Sequence, residues 1–238
     1  MRRRHFVQAG SAALLAGCAA EPSAPPRATT GGQAFVGPGA PSSAAPARAG
    51  SFAPSTPSPT MPGPAALSSA PRALLAARVA EGPELAMILA DTRQGQEQWL
   101  APGPFVLALR SGRVIRTVNL DGLDLKGVVD ETPDPLRGPV AALGNAPYRR
   151  RLQATGAPAG GWLVEGRMTA EGNETLTVPG LGTQRQALRV RERGRALDGN
   201  WRFENVFWLD PRTGQVLASR QVPLPGAPTV TLNLIKAG

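Results

Sequence analysis

From Gly82-Pro83 to its C-terminus the chain sustains no helical apolar period. Gly and Pro cut it into short runs of strand type. That pattern excludes bundles and doubly wound folds, which need helices of ten residues or more. Candidate strands are 84–91, 94–100, 104–110, 113–119, 161–169, 174–179, 184–193, 200–209, 215–222 and 228–235. Val230, Leu232 and Leu234 alternate with Thr229, Thr231 and Asn233, which predicts one buried and one polar face. Trp201, Phe203 and Phe207 share one parity and Trp208 takes the other, so 200–209 reads as a strand buried on both faces. Arg110-Ser111-Gly112-Arg113 is a hairpin turn. Asp210-Pro211-Arg212-Thr213-Gly214 is another, with Pro fixing φ early and Gly free to close it. One helical stretch is expected, two turns over Pro71–Ala80. The fold expectation for 72–238 is mainly β: antiparallel meander sheets folded into a sandwich- or barrel-like domain. At 167 residues such a domain buries roughly 70% of its unfolded surface.

The chemistry open to this domain is narrow. The one histidine and the one cysteine of the 238 residues are His5 and Cys18. Downstream of them there is no His for a triad or a His-ligated metal, no thiol nucleophile and no disulfide. The first twenty residues have a basic start, a short apolar stretch from Ala9 to Gly17 and small residues before Cys18. The apolar stretch is about half of the ~20 residues a bilayer crossing needs, so the segment reads as a secretory leader. Leu15-Ala16-Gly17-Cys18 looks like a bacterial lipobox. It implies cleavage after 1–17 and acylation (palmitate among the chains) of Cys18, with several chains giving firm anchorage. Arg3-Arg4-His5-Phe6-Val7-Gln8 fits twin-arginine export, and the general secretory route fits equally well. Ala19, rather than Asp, follows the lipidated Cys, which favours the outer membrane.

Residues 19–71 hold twelve Pro, six Gly and three charges. Such a composition cannot bury enough surface to offset its ordering entropy, so 18–71 reads as a lipidated Cys followed by a disordered Pro/Ala-rich tether. The net charge of +9 divides into +4 over 1–71 and +5 over 72–238, carried by 24 Arg and two Lys. The same Ala, Gly, Pro and Arg bias suits GC-rich coding. Charge alone therefore does not argue for nucleic acid, and none is expected as a partner, while anionic partners stay open.

Trp201-Arg202-Phe203-Glu204-Asn205-Val206-Phe207-Trp208-Leu209-Asp210-Pro211-Arg212-Thr213-Gly214, then Ser219-Arg220-Gln221, resembles the YjbF/GfcB-type exopolysaccharide lipoproteins that accompany group 4 capsule and related secretion systems. Gly112-Arg113 with Thr117, and Gly122-Leu123-Asp124-Leu125, extend the likeness upstream; 127–160 matches weakly. The resemblance implies a role in surface polysaccharide export, assembly or matrix formation, and it supplies no catalytic residue.

Arg189, Arg191, Arg193 and Arg195 alternate with Leu188, Val190, Glu192 and Gly194. In an extended strand the four guanidiniums line one face about 6.6–6.8 Å apart. That row suits an anionic glycan, because Arg forks grip carboxylates and phosphates; it also suits a solvated face or a charge-blunted edge. Arg149-Arg150-Arg151 reads as a loop or strand end. The four tryptophans could stack on sugars, but three sit in apolar runs and read as core, leaving Trp99 as the one expected at the surface. Asp121, Asp124, Asp130, Glu131 and Asp134 lack calcium-loop spacing, and no metal or cofactor is expected. Glu165, Glu204 and Asp210 are the acids available to a carboxylate-based glycan hydrolase or lyase, with nothing in their spacing selecting a pair. The reading is a lipoprotein anchored at Cys18 to the periplasmic face of the outer membrane. It serves polysaccharide export or assembly proteins as a non-catalytic accessory. Direct binding of acidic polysaccharide and a hydrolase or lyase are the alternatives.

Overall fold

Twelve strands follow one another with little but turns between them. The computed structural model describes residues 61–63, 65–66, 72–144 and 146–237, which belong to one compact unit. The leader, Cys18 and most of the expected tether lie outside the described residues. The strands are β1 (Leu74–Val79), β2 (Leu85–Arg93), β3 (Gln96–Leu100), β4 (Val106–Arg110), β5 (Arg113–Val118) and β6 (Leu125–Asp130), followed by β7 (Tyr148–Ala154), β8 (Trp162–Thr177), β9 (Gln184–Ala196), β10 (Arg202–Leu209), β11 (Val216–Gln221) and β12 (Val230–Lys236). They form one antiparallel sheet in the order β5-β4-β3-β2-β1-β12-β11-β10-β9-β8-β7-β6. Every consecutive pair is a ladder except β5 and β6, and the first strand pairs with the last. The sheet is thus a nearly closed up-and-down barrel whose seam falls in mid-chain. Among the described residues no helix is long and apolar enough to cross a membrane.

Local chemistry explains the turns. Ser111 (φ 49°) and Gly112 (φ 75°) both take left-handed backbone, the two-residue hairpin geometry that matches strand twist. The Asp210 side chain accepts hydrogen bonds from the Arg212 and Thr213 amides, which fixes the β10–β11 turn before Gly214 closes it. Val230, Leu232 and Leu234 enter the main core as the alternation requires. In β10, Phe203, Asn205, Phe207 and Leu209 are buried on the inner face; on the other face Val206 is buried and Trp208 partly so.

Besides β6 and β7, which lie where no strand is expected, three features differ from the sequence expectation. The segment expected to be helical is β1. Leu75 and Ala77 face the barrel core, and Leu74 and Ala76 are covered from outside, so the strand is apolar on both faces and shows no alternation. The cover comes from β8, which is one 16-residue strand rather than two. A bulge between Ala170 and Gly172 bends it, with Gly172 at φ 123°. The far end of the β8–β9 hairpin lies over β1 and β12, where Val178 packs with Leu74, Ala76 and Ile235. Arg185 secures it by donating to the carbonyls of Leu234 and Ile235 at 3.0 and 2.8 Å. Trp99 is the third difference: it is buried, not exposed. Its exposed neighbours Gln96 and Gln98 mark the outer and solvated positions of β3, while the indole packs among core residues and donates to Glu97 at 3.1 Å.

The seam has its own chemistry. The Leu125 amide of β6 donates to Thr117 Oγ1 of β5 at 2.8 Å, and Arg110 of β4 reaches Asp130 of β6 at 3.1 Å. The β4–β5 turn packs on β11 so closely that a Cβ on Gly112 would lie 2.3 Å from Val216 Cβ. Gln221 of β11 supplies what a strand neighbour would have given. Its Oε1 accepts from the Val114 amide at 3.0 Å, and its Nε2 donates to the Gly112 carbonyl and to Ser219 Oγ, both at 2.8 Å.

Candidate functional site: a buried charge cluster and an outer arginine ladder

Inward-facing positions of five elements carry polar side chains that meet inside the barrel. Arg113 opens β5, Tyr148 and Arg150 come from β7, Glu192 from β9, Asn205 from β10, and Asp134 precedes a short 3-10 turn at Pro135–Arg137. All six are buried, Glu192 completely. Arg113 grips both oxygens of Asp134 through Nε and Nη2 and reaches Glu192 Oε2 through Nη1 at 2.8 Å. Arg150 pairs with Glu192 Oε1 at 3.0 Å. The Tyr148 hydroxyl donates to Glu192, and Asn205 Nδ2 donates to Glu192 Oε2 at 2.8 Å. Asn205 Oδ1 then accepts from the Val222 amide at 2.7 Å. The guanidiniums also lie over rings, Arg113 at 5.2 Å from Phe207 and Arg150 at 5.7 Å from Phe203.

Two cations and two anions make the cluster neutral, which is how charges survive burial. Burial opposes the Arg113 charge, but the facing carboxylates of Asp134 and Glu192 raise its pKa above the ordinary arginine value. Burial also opposes ionisation of Asp134; the charge and hydrogen bonds of Arg113, with help from Arg150 and the Leu136 amide, hold its carboxyl below the usual range. For Glu192 burial wins, and its carboxyl is raised despite Arg113 and Asn205. Burial first, then the like charge of Arg113, lowers Arg150. Each charged group is committed to another member, so the cluster ties β5, β7, β9, β10 and the 131–147 loop together. A cavity of about 510 Å³ opens beside it, beneath the turns at 111–112, 135–138 and 213–214. Its walls include Leu75, Leu109 and Leu232, with Glu97 and Arg137 also lining it.

The sequence did not single out Arg113, Glu192, Tyr148 or Arg150 as partners. Arg149-Arg150-Arg151, expected in a loop or strand end, runs through β7: Arg150 points inward, while Arg149 is exposed and Arg151 partly so. The available signal was the resemblance itself, because its Gly112-Arg113, Thr117, Asn205, Phe207, Ser219 and Gln221 all belong to this cluster, to the seam or to the turn packed on β11.

Arg189, Arg191, Arg193 and Arg195 do line one face of β9, the outer one, opposite inward Val190 and Glu192. β9 lies between β8 and β10, so the row is not a charge-blunted edge. Glutamates interleave it. Glu171 bridges Arg189 (2.9 Å) and Arg191 (2.5 Å), Glu204 bridges Arg191 (3.4 Å) and Arg193 (3.1 Å), and Glu165 lies 3.8 Å from Arg195 and 3.0 Å from Arg149. The Arg193 hydrogen bond, with the charges of Arg191, Arg193 and Arg220, holds the Glu204 carboxyl below its ordinary range against the opposing effect of burial. Hydrogen bonds from the Arg212 and Thr213 amides do the same for Asp210. Of the acids open to hydrolytic chemistry, Glu165 and Glu204 thus stand on an outer face, bound to arginine, and Asp210 caps a turn. The acids 121–134 are not gathered into a metal site: among the described residues no group of three or more His, Cys, Asp or Glu could hold an ion.

Residues 44–235 match the family model described as group 4 capsule polysaccharide lipoprotein gfcB, YjbF. The uncharacterized lipoprotein GfcB of Escherichia coli K12 is 26% identical over 171 residues, covering 71% of this chain and 78% of its own length. The uncharacterized lipoprotein YjbF of the same organism is 28% identical over 163 residues, covering 66% and 71%. The crystal structure of the hypothetical lipoprotein YmcC from E. coli K12 superposes with a TM-score of 0.66 at 24% identity, covering 74% of this chain and 89% of that one, and shows the same fold.

Proposed function

Because the chain belongs to the YjbF family of group 4 capsule polysaccharide lipoproteins, we propose that it is a non-catalytic accessory of capsule or exopolysaccharide export and assembly. In this reading Cys18 carries the lipid, the Pro-rich segment is a tether, and the barrel stands at the periplasmic face of the outer membrane, where it contacts export or assembly proteins. The observation that carries the reading is the extent of the family match, which runs through the barrel to within β12. The charge cluster supports it, since its buried groups are spent on one another and act as a framework for the fold.

The test is deletion of the gene in its host with complementation. The reading expects surface polysaccharide to fall on deletion and to return with the wild-type chain. It also expects Cys18→Ser, blotted to confirm that the chain accumulates, to leave the outer-membrane fraction and to restore little. Wild-type polysaccharide in the deletion strain would refute it.

A further inference from the structure

The outer face of β7–β11 carries more positive charge than its ion pairs neutralise. Strand register places Arg149, Arg167, Arg189, Arg191, Arg193, Arg195, Arg202 and Arg220 on it. Four glutamates share that surface: Glu165, Glu171 and Glu204 in ion pairs, and Glu174 accepting from the Trp208 indole. Arginines thus outnumber glutamates by at least two to one on this face. The row along β9 is about 20 Å long at strand spacing. Its far end is open: the side chains of Arg193 and Arg195 are 70% and 56% exposed, and Arg202 stands directly opposite Arg195. Its near end holds Trp208, part-exposed and cross-strand from Arg189.

This arrangement fits one occupant better than its competitors. A small anion would occupy one hollow, and the one beside Arg195 and Arg202, about 520 Å³ at the β9–β10 turn, takes in only the end of the row and leaves Arg189, Arg191 and Arg193 outside it. A membrane surface is held best where apolar side chains insert beside the charge; of the exposed large hydrophobics among the described residues, Ile88 and Val129 lie outside β7–β11, and Leu197 in the β9–β10 turn alone adjoins the face. A straight row of fixed cations with an aromatic ring at one end suits a chain that repeats its negative charge along its length. The bridging glutamates assist: each orients two guanidiniums, and a guanidinium with five donors retains outward N–H groups after one or two bonds.

We propose that the outer face of β8–β10 binds a carboxylate- or phosphate-bearing polysaccharide lying along β9, with Arg193, Arg195 and Arg202 making the principal contacts. This rests on the accessory reading and names the ligand class of that accessory. The probe is polygalacturonate, a polymer with a carboxylate on every sugar. Neutral dextran and phosphatidylglycerol vesicles serve as comparisons, with full-length protein in non-ionic detergent. Polygalacturonate is expected to bind, dextran not, with affinity falling as salt rises. Arg193→Ser/Arg195→Ser should weaken binding about tenfold or more while thermal unfolding stays cooperative, since both side chains are largely solvated. Unchanged binding in the double arginine variant, binding to the vesicles alone, or no binding at low salt would overturn the proposal. The deletion strain separates the two readings. If wild type restores polysaccharide and the double arginine variant restores it equally, the accessory role stands and the glycan track fails.

Discussion

Replacing Arg113 by Met isolates what the buried cluster contributes. The side chain is 3% exposed and serves two carboxylates. Its removal leaves Asp134 and Glu192 facing Arg150 alone, so a neutral quartet becomes a buried site with net charge −1. Breaking a buried pair from one side costs about 3–5 kcal/mol. For a domain of this size about 4 kcal/mol lowers Tm by roughly 8–16 °C. The pH dependence gives a second readout. In wild type, the depressed Asp134 carboxyl contributes stability that is present above the ordinary carboxylate range and is lost as pH falls through its folded pKa. Glu192 has the opposite sign: its raised pKa means stability is gained as pH falls through that value. Without Arg113 both carboxyls are raised, and both regain stability by taking up protons. The deficit of the variant should therefore be largest near pH 7.5 and smaller near pH 4.5. Urea denaturation of wild type and variant at both pH values measures it. A deficit below about 1 kcal/mol, or one equal at the two pH values, would refute the view that Arg113 balances a buried ionic cluster.

Gly112→Ala should cost about 2–4 kcal/mol in the same assay, since the backbone is left-handed and the new methyl would meet Val216 of β11; a loss under about 0.5 kcal/mol would mean the β4–β5 turn is not held against β11. Gln221→Leu keeps the volume but strands the Val114 amide and the Gly112 carbonyl, so about 2–4 kcal/mol should be lost. Amide hydrogen exchange at Val114 should rise with it, and unchanged protection there would show that the β5 edge does not depend on this side chain.

Legibility in the sequence followed the relation between a strand's two faces. Where one face is polar, as with Thr231 and Asn233 of β12, or where a turn has obligatory chemistry, as at Ser111-Gly112 and Asp210–Gly214, the pattern is readable and the structure agrees. β1 reads as a helix because the β8–β9 hairpin covers its outer face, and a strand apolar on both sides resembles a short helix. β6 and β7 went unrecognised for the converse reason. β7 alternates properly, but Arg150 occupies an inward position, and an arginine there carries no sign that a glutamate 42 positions later will neutralise it. Trp99 reads as exposed from its polar neighbours, of which Gln96 and Gln98 point the opposite way in the strand and Glu97, on the same face, accepts from the indole.

The candidate surfaces divide similarly. The alternation of Arg189 to Arg195 puts four guanidiniums on one face of a strand, because a period of two is a local property. That Glu171, Glu204 and Glu165 interleave them depends on the register of β8 and β10, which no local pattern encodes. The sequence by itself determined the chemistry available: no histidine or thiol beyond Cys18, a mainly β domain, its principal turns and the residues of the family likeness. Tertiary structure alone decided which arginines are buried and which face water. Burying a charge is tolerable only beside an opposite charge, and Arg113, Asp134, Arg150 and Glu192 become neighbours only when the sheet curls until its two mid-chain edges meet.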